Sequence, residues 1–98
     1  MRSETTNTTH AEACALLADK QTGEAIELLA RAVEQDADDG QLWSLLGVAH
    51  WSAGQVTDSI AALETALTLI PLGPEGRLAL ALGYEVIQKR ELAVDLFV

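Results

Sequence analysis

Apolar side chains in the middle of the chain recur three and four positions apart. Leu42, Leu45, Leu46 and Ala49 form one such set, and Ile60, Leu63, Ala66 and Leu67 form another. This spacing gathers apolar residues on one face of an amphipathic helix. Gly54 lies between the sets, where a residue tolerant of positive φ ends one helix and lets the chain turn into the next. Pro71 has no amide donor and is expected to close the second helix. Ala and Leu are abundant, aromatic residues make up 4% of the chain and β-branched residues stand singly. The pattern therefore predicts an all-α fold with almost no sheet.

The helix pair repeats. Set against itself at an offset of 34 residues, the sequence divides into segments 6–39, 40–73 and a partial 74–98. Ala15 then falls on Ala49, Ile26 on Ile60 and Val94, Leu29 on Leu63 and Phe97, and Ala32 on Ala66. A column of small residues, Ala25, Ser59 and Ala93, precedes the Ile26 column, and Ala13, Gly47 and Ala81 form a second small column. Small residues at such positions let paired helices approach, while Leu29, Leu63 and Phe97 fill the space beside them. Two helices are expected per segment. At the amino terminus, Thr9-His10-Ala11-Glu12 fits a capping box. It predicts a polar segment 1–8, then a first helix starting at Thr8 or Thr9 and shorter than its counterparts, within a single domain over 9–98.

The middle segment carries Trp43-x-x-Leu46-Gly47-x-x-His50, then Ser59-x-x-x-Leu63, Ala66 and Pro71; the third carries Leu80-Ala81-x-x-Tyr84 and Ala93-x-x-x-Phe97. With their small and large residues in this order, these segments resemble the tetratricopeptide repeat family. The first segment matches least, with Thr9 at the place of Trp43 and Glu12 at that of Leu46. A terminal repeat with a polar outer face is commonly atypical. The resemblance covers residues 6–98. It implies an α-solenoid of antiparallel helix–turn–helix repeats, about two and a half of them, in a right-handed superhelix.

The resemblance also implies a concave groove, lined by the first helix of each pair, that holds a peptide or helix of a partner protein. Carried over by register, the groove columns are Asn7, Gln41 and Glu75; His10, Ser44 and Leu78; Cys14, Val48 and Leu82; Leu17, Trp51 and Glu85; and Ala18, Ser52 and Val86. The candidates singled out for the groove are Cys14, Leu17 and Gln41, then Ser44, Val48 and Trp51, then Leu78, Leu82 and Glu85. Trp51 either faces the groove, where tryptophan is a common hot spot, or packs against the next repeat. Family members that clamp acidic carboxyl-terminal tails place Lys, Asn, Asn, Lys and Arg in the groove. The matching places here are His10, Cys14, Leu45, Glu75 and Ala79, so that clamp is not expected. A largely apolar partner segment, with a basic residue near Glu75 or Glu85, fits better.

Charge narrows the partners. The net charge is −9, and phosphate-backbone binding needs clustered Lys and Arg, so no nucleic acid is expected. Segment 6–39 holds eight acidic and two basic residues, 40–73 two and none, and 74–98 four and three; with a neutral 1–5, the contributions are −6, −2 and −1. The acidity therefore lies toward the amino-terminal end, as a solvated surface or as attraction for a basic partner. Residues 1–10 lack the apolar run of a secretory signal, and no stretch approaches the ~18 apolar residues of a membrane span. No membrane insertion is expected, and the expected location is cytoplasmic.

Chemistry is sparse. Cys14 is the single cysteine. His10 and Cys14 stand four apart on one helix, but two ligands are too few for a metal centre, and His50 falls in a core column with Leu16 and Tyr84. Asp36, Asp38 and Asp39 lack the Gly-centred spacing of a calcium loop and are expected to be solvated. No phosphate loop or nucleophile elbow occurs. The expectation is a non-enzymatic protein without metal or cofactor.

By the repeat period the third segment would run to residue 107, but the sequence ends at Val98. Val94, Leu96 and Phe97 are thus expected to form an apolar face, for a following repeat or for self-association. At ~1.5–3 kcal/mol for each buried side chain, such a face should be covered. The function expected is a protein-interaction module or scaffold. The alternatives are a small self-associating chaperone for a client protein, or the amino-terminal docking domain of a larger enzyme.

Overall fold

A computed structural model describes the backbone of residues 2–97 and the side chains of residues 8–90. It contains five helices and, among the described residues, no strand: α1 (Arg2–Ala18), α2 (Thr22–Gln35), α3 (Gly40–Ser52), α4 (Val56–Leu69) and α5 (Pro74–Phe97). Successive helices pack on one another, and α3 also touches α1 and α5. The result is a row of hairpins rather than a closed bundle.

The turns follow from local chemistry. Gly54 ends the first hairpin helix of the second repeat with φ 78°, and Lys20 does the same in the first repeat with φ 63°. The Gly54 turn is clasped by His50, whose Nδ1 lies 2.6 Å from Oε1 of Gln55. His50 is thus half-buried at a turn rather than enclosed in the core. Ahead of Pro71, α4 stops at Leu69, as the missing amide donor requires.

Within the second repeat, α3 and α4 meet where Gly47 faces Leu63. A Cβ at Gly47 would lie 2.7 Å from Leu63 Cδ2 and 3.3 Å from the Leu63 amide nitrogen. The absent side chain is what allows Leu63 to be fully buried. Beside it, the hydroxyl of the fully buried Ser59 donates to the Gly47 carbonyl at 2.7 Å. One small column thus supplies space, and the other supplies a satisfied buried hydrogen bond.

The core comprises two clusters. One gathers Leu29, Val33, Leu42, Leu46 and Ala49 with Ala13 and Ala62; the other gathers Leu63, Ala66, Leu72, Ala79 and Leu80. Trp43 packs against both, and its indole N–H donates to the Ala37 carbonyl at 2.9 Å. It joins the two halves of the stack.

Three expectations are corrected. The first helix starts at Arg2, not at Thr8 or Thr9, and with 17 residues it is longer than α3 with 13. No Gly or Pro stands before residue 22 to interrupt the run, so helix propagates through Thr9 and the capping box is not used. The third segment does not fold as two helices: α5 is a single helix of 24 residues. Among the described residues, Ala81 therefore has no paired helix to approach it, and it is exposed. Asp39 is not merely solvated, since its Oδ1 accepts from the amides of Gln41 at 3.0 Å and Leu42 at 3.2 Å and so caps α3. The side chains of Val94, Leu96 and Phe97 lie outside the described residues.

Candidate peptide-binding face

The first helices of the repeats, α1, α3 and α5, lie side by side. They carry all nine groove candidates, none of which is fully buried. Cys14, Gln41, Leu78, Leu82 and Glu85 are exposed, and Leu17, Ser44, Val48 and Trp51 are half-buried.

The most open apolar surface among them is on α5, where Leu78 is 61% and Leu82 36% exposed. Four residues apart, they share one helix face. Glu75 and Glu85 stand beyond them, both exposed. Glu85 pairs with Lys89 at 3.4 Å in a solvent-exposed i,i+4 contact. Such a pair holds the glutamate only weakly and leaves it available to a cation from outside.

Trp51 is half-buried and packs against the second core cluster, to which α5 contributes Ala79 and Leu80. It is thus partly covered by that cluster and partly open to solvent. Leu17 is similarly half-buried, against the first cluster. Ser44 sits at the α3–α5 seam, with its Oγ 3.2 Å from the place a Cβ on Gly76 would take.

His10, from the same set of columns, serves a structural contact. Its Nε2 is buried without a hydrogen-bond partner and lies 3.6 Å from Oδ2 of Asp39, the capping residue of α3. One carboxylate thus caps α3 with one oxygen and faces α1 with the other. Nothing in the spacing of the sequence pointed to Asp39; the signal available was an Asp immediately before an apolar-periodic run.

Among the described residues, no group of three or more His, Cys, Asp or Glu side chains gathers as a metal site would require. No helix among them is long and apolar enough to cross a membrane.

The model of the tetratricopeptide repeat family matches residues 10–77. This chain belongs to the tetratricopeptide repeat family. The matched stretch runs from the middle of α1 through the first turn of α5, and so covers both complete hairpins. Comparisons with curated proteins and with solved structures give no match. Tetratricopeptide repeats are helical modules that mediate protein–protein interaction, typically without catalysis of their own.

Proposed function

We propose that this tetratricopeptide protein is an interaction module whose α1–α3–α5 face binds a largely apolar, amphipathic segment of a partner protein. The observation that supports the reading is the exposed Leu78–Leu82 pair between Glu75 and Glu85. Two leucines four apart suit apolar anchors of the same spacing on a partner helix, and the flanking carboxylates favour Lys or Arg at its ends. Trp51, Val48 and Leu17 extend the apolar strip along the stack.

Synthetic helical peptides bearing leucines at i and i+4 test this. One version carries lysine flanks and the other glutamate flanks, and binding is followed by tryptophan emission and by calorimetry. The lysine version should bind and the glutamate version should bind at least tenfold more weakly, a difference of about 1.4 kcal/mol. Leu78→Ser with Leu82→Ser should abolish binding without loss of helicity. Undiminished binding by that variant would refute the assignment of the face.

A further inference from the structure

The third repeat departs from the first two at one column. Lys20 and Gly54 hold that column with left-handed backbone, and the chain turns there from α1 toward α2 and from α3 toward α4. Gln88 holds it in the third repeat, and α5 continues through it to Phe97. A helix of 24 residues, about 36 Å long, cannot fold back upon itself. Among the described residues, the side of α5 that corresponds to the α4-facing side of α3 is therefore left uncovered.

Pairs of matched residues mark the bare surface. Gly47 is buried under Leu63, whereas its counterpart Ala81 is exposed. Val33 is 6% exposed and shares a cluster with Ala62, whereas its counterpart Leu67 is 53% exposed. Half-buried His50 corresponds to Tyr84, which is 47% exposed. Gly47 meets Ser59 and Leu63, and Val33 shares a cluster with Ala62; the columns of Ser59, Leu63 and Ala62 in the third segment are Ala93, Phe97 and Leu96. The chain thus encodes a matching cover for this surface, on the far part of the helix that cannot reach it.

We propose that the Leu67–Ala81–Tyr84 surface receives residues 91–97 of a second copy, in a symmetric dimer that exchanges the carboxy-terminal parts of two α5 helices. Exchange of an identical element needs no new complementarity, because the repeat register already supplies it. Helix continuity through Gln88 holds the segment away from its own repeat and available to the other. Charge allows the approach: of the net −9, −6 lies in 6–39, −2 in 40–73 and −1 in 74–98. Repulsion between the acidic amino-terminal segments is screened over about 8–10 Å of physiological salt. This inference does not depend on the peptide-binding reading, since it uses neither Leu78 nor Leu82.

The test uses the full chain. Light scattering on the unaltered protein should give twice the 10.4 kDa of one chain. Leu67→Lys, at a position exposed within one copy, should return the mass to that of a single chain with helicity unchanged. In a Cys14→Ser background, separate Ala81→Cys and Ala93→Cys chains are then mixed and oxidised. The columns of these residues are those of Gly47 and Ser59, which touch in the second repeat. A disulfide-linked pair formed only in the mixture supports the exchange. A monomer at every concentration overturns it, as does a dimer that survives Leu67→Lys. A doubly substituted chain that cross-links within itself would show instead that α5 breaks at Gln88 and folds back, which also overturns it. Peptide binding through Leu78 and Leu82 is read separately and is untouched by these substitutions.

Discussion

Lys20 and Gly54 occupy the same repeat column, and among the described residues they alone adopt left-handed backbone, with φ of 63° and 78°. The hairpin geometry sets this conformation, since two unlike residues meet it. Left-handed backbone costs an L-residue with a side chain roughly 1–2 kcal/mol, and glycine almost nothing. Gly54→Ala should therefore lower the unfolding free energy by about 1–2 kcal/mol, although no atom lies within 4 Å of the added methyl. Lys20→Gly should raise it by up to ~1 kcal/mol, the relief of strain being reduced by the greater freedom of glycine in the unfolded chain. Urea unfolding followed by circular dichroism reads both. Equal losses from the two substitutions would contradict the shared geometry.

Packing at Gly47 and Leu63 gives a second expectation. A methyl at Gly47 meets a fully buried leucine on one side and the backbone of α4 on the other. Overpacking of this kind costs about 1–3 kcal/mol. Leu63→Ala, which empties the same space, costs about 2–5 kcal/mol alone. Because each change partly relieves the other, Gly47→Ala with Leu63→Ala should lose measurably less than the sum of the single losses. Strict additivity in a double-mutant cycle would show that the residues do not share this space.

These relationships differ in how far the sequence displayed them. The helix pairs, the 34-residue register, the Gly54 turn and the stop before Pro71 were legible, because periodicity and the two punctuating residues act locally. The continuity of α5 was not. Lys20 shows that a non-glycine residue can make the turn, so Gln88 at the same column does not by itself announce either a turn or a helix. The Thr9–Glu12 spacing fits a cap, but a cap matters only where a helix begins, and nothing in the residues before it stops the helix. Trp51 could be read as facing a groove or as packing on the next repeat. The structure has it packed against the second cluster and half-exposed together, a combination that a two-way choice from spacing does not contain. Leu78 and Leu82 are exposed, whereas Ser44 and Val48 in the same columns are half-buried, a difference that the repeat register alone does not contain.

Tyr84 supplies a pH signature. Its hydroxyl donates to Glu64 Oε2 at 2.8 Å, and this hydrogen bond, followed by desolvation and the Glu64 charge, raises the phenol pKa above its ordinary value. The favoured form is the protonated, neutral one. The associated stability is present below the pKa of the unfolded chain and is lost as pH rises through the higher folded value. Tyr84 is the single tyrosine, so its phenolate absorbance can be titrated without overlap from another. The midpoint should lie above that of a free tyrosine peptide, and Glu64→Gln should bring it down. An identical midpoint in both proteins would mean that the bond is not populated in solution.

The last expectation concerns the contact between α1 and α3. Asp39 joins two functions in one carboxylate: Oδ1 satisfies free amides at the start of α3, and Oδ2 faces the buried Nε2 of His10 at 3.6 Å. Loss of a capping oxygen typically costs about 1 kcal/mol, within a range of roughly 0.5–2. Asp39→Ala should lose about that much. Asp39→Asn retains a capping oxygen but carries no charge, so it separates the two functions. If the cap dominates, Asn recovers most of what Ala loses. If the apposition with His10 contributes, Asn remains below the parent protein, and His10→Gln should remove the remaining difference between Asp and Asn at position 39. Chemical unfolding of these variants divides the two contributions. An Asp39→Asn protein as stable as the parent would assign the whole effect of Asp39 to the helix cap.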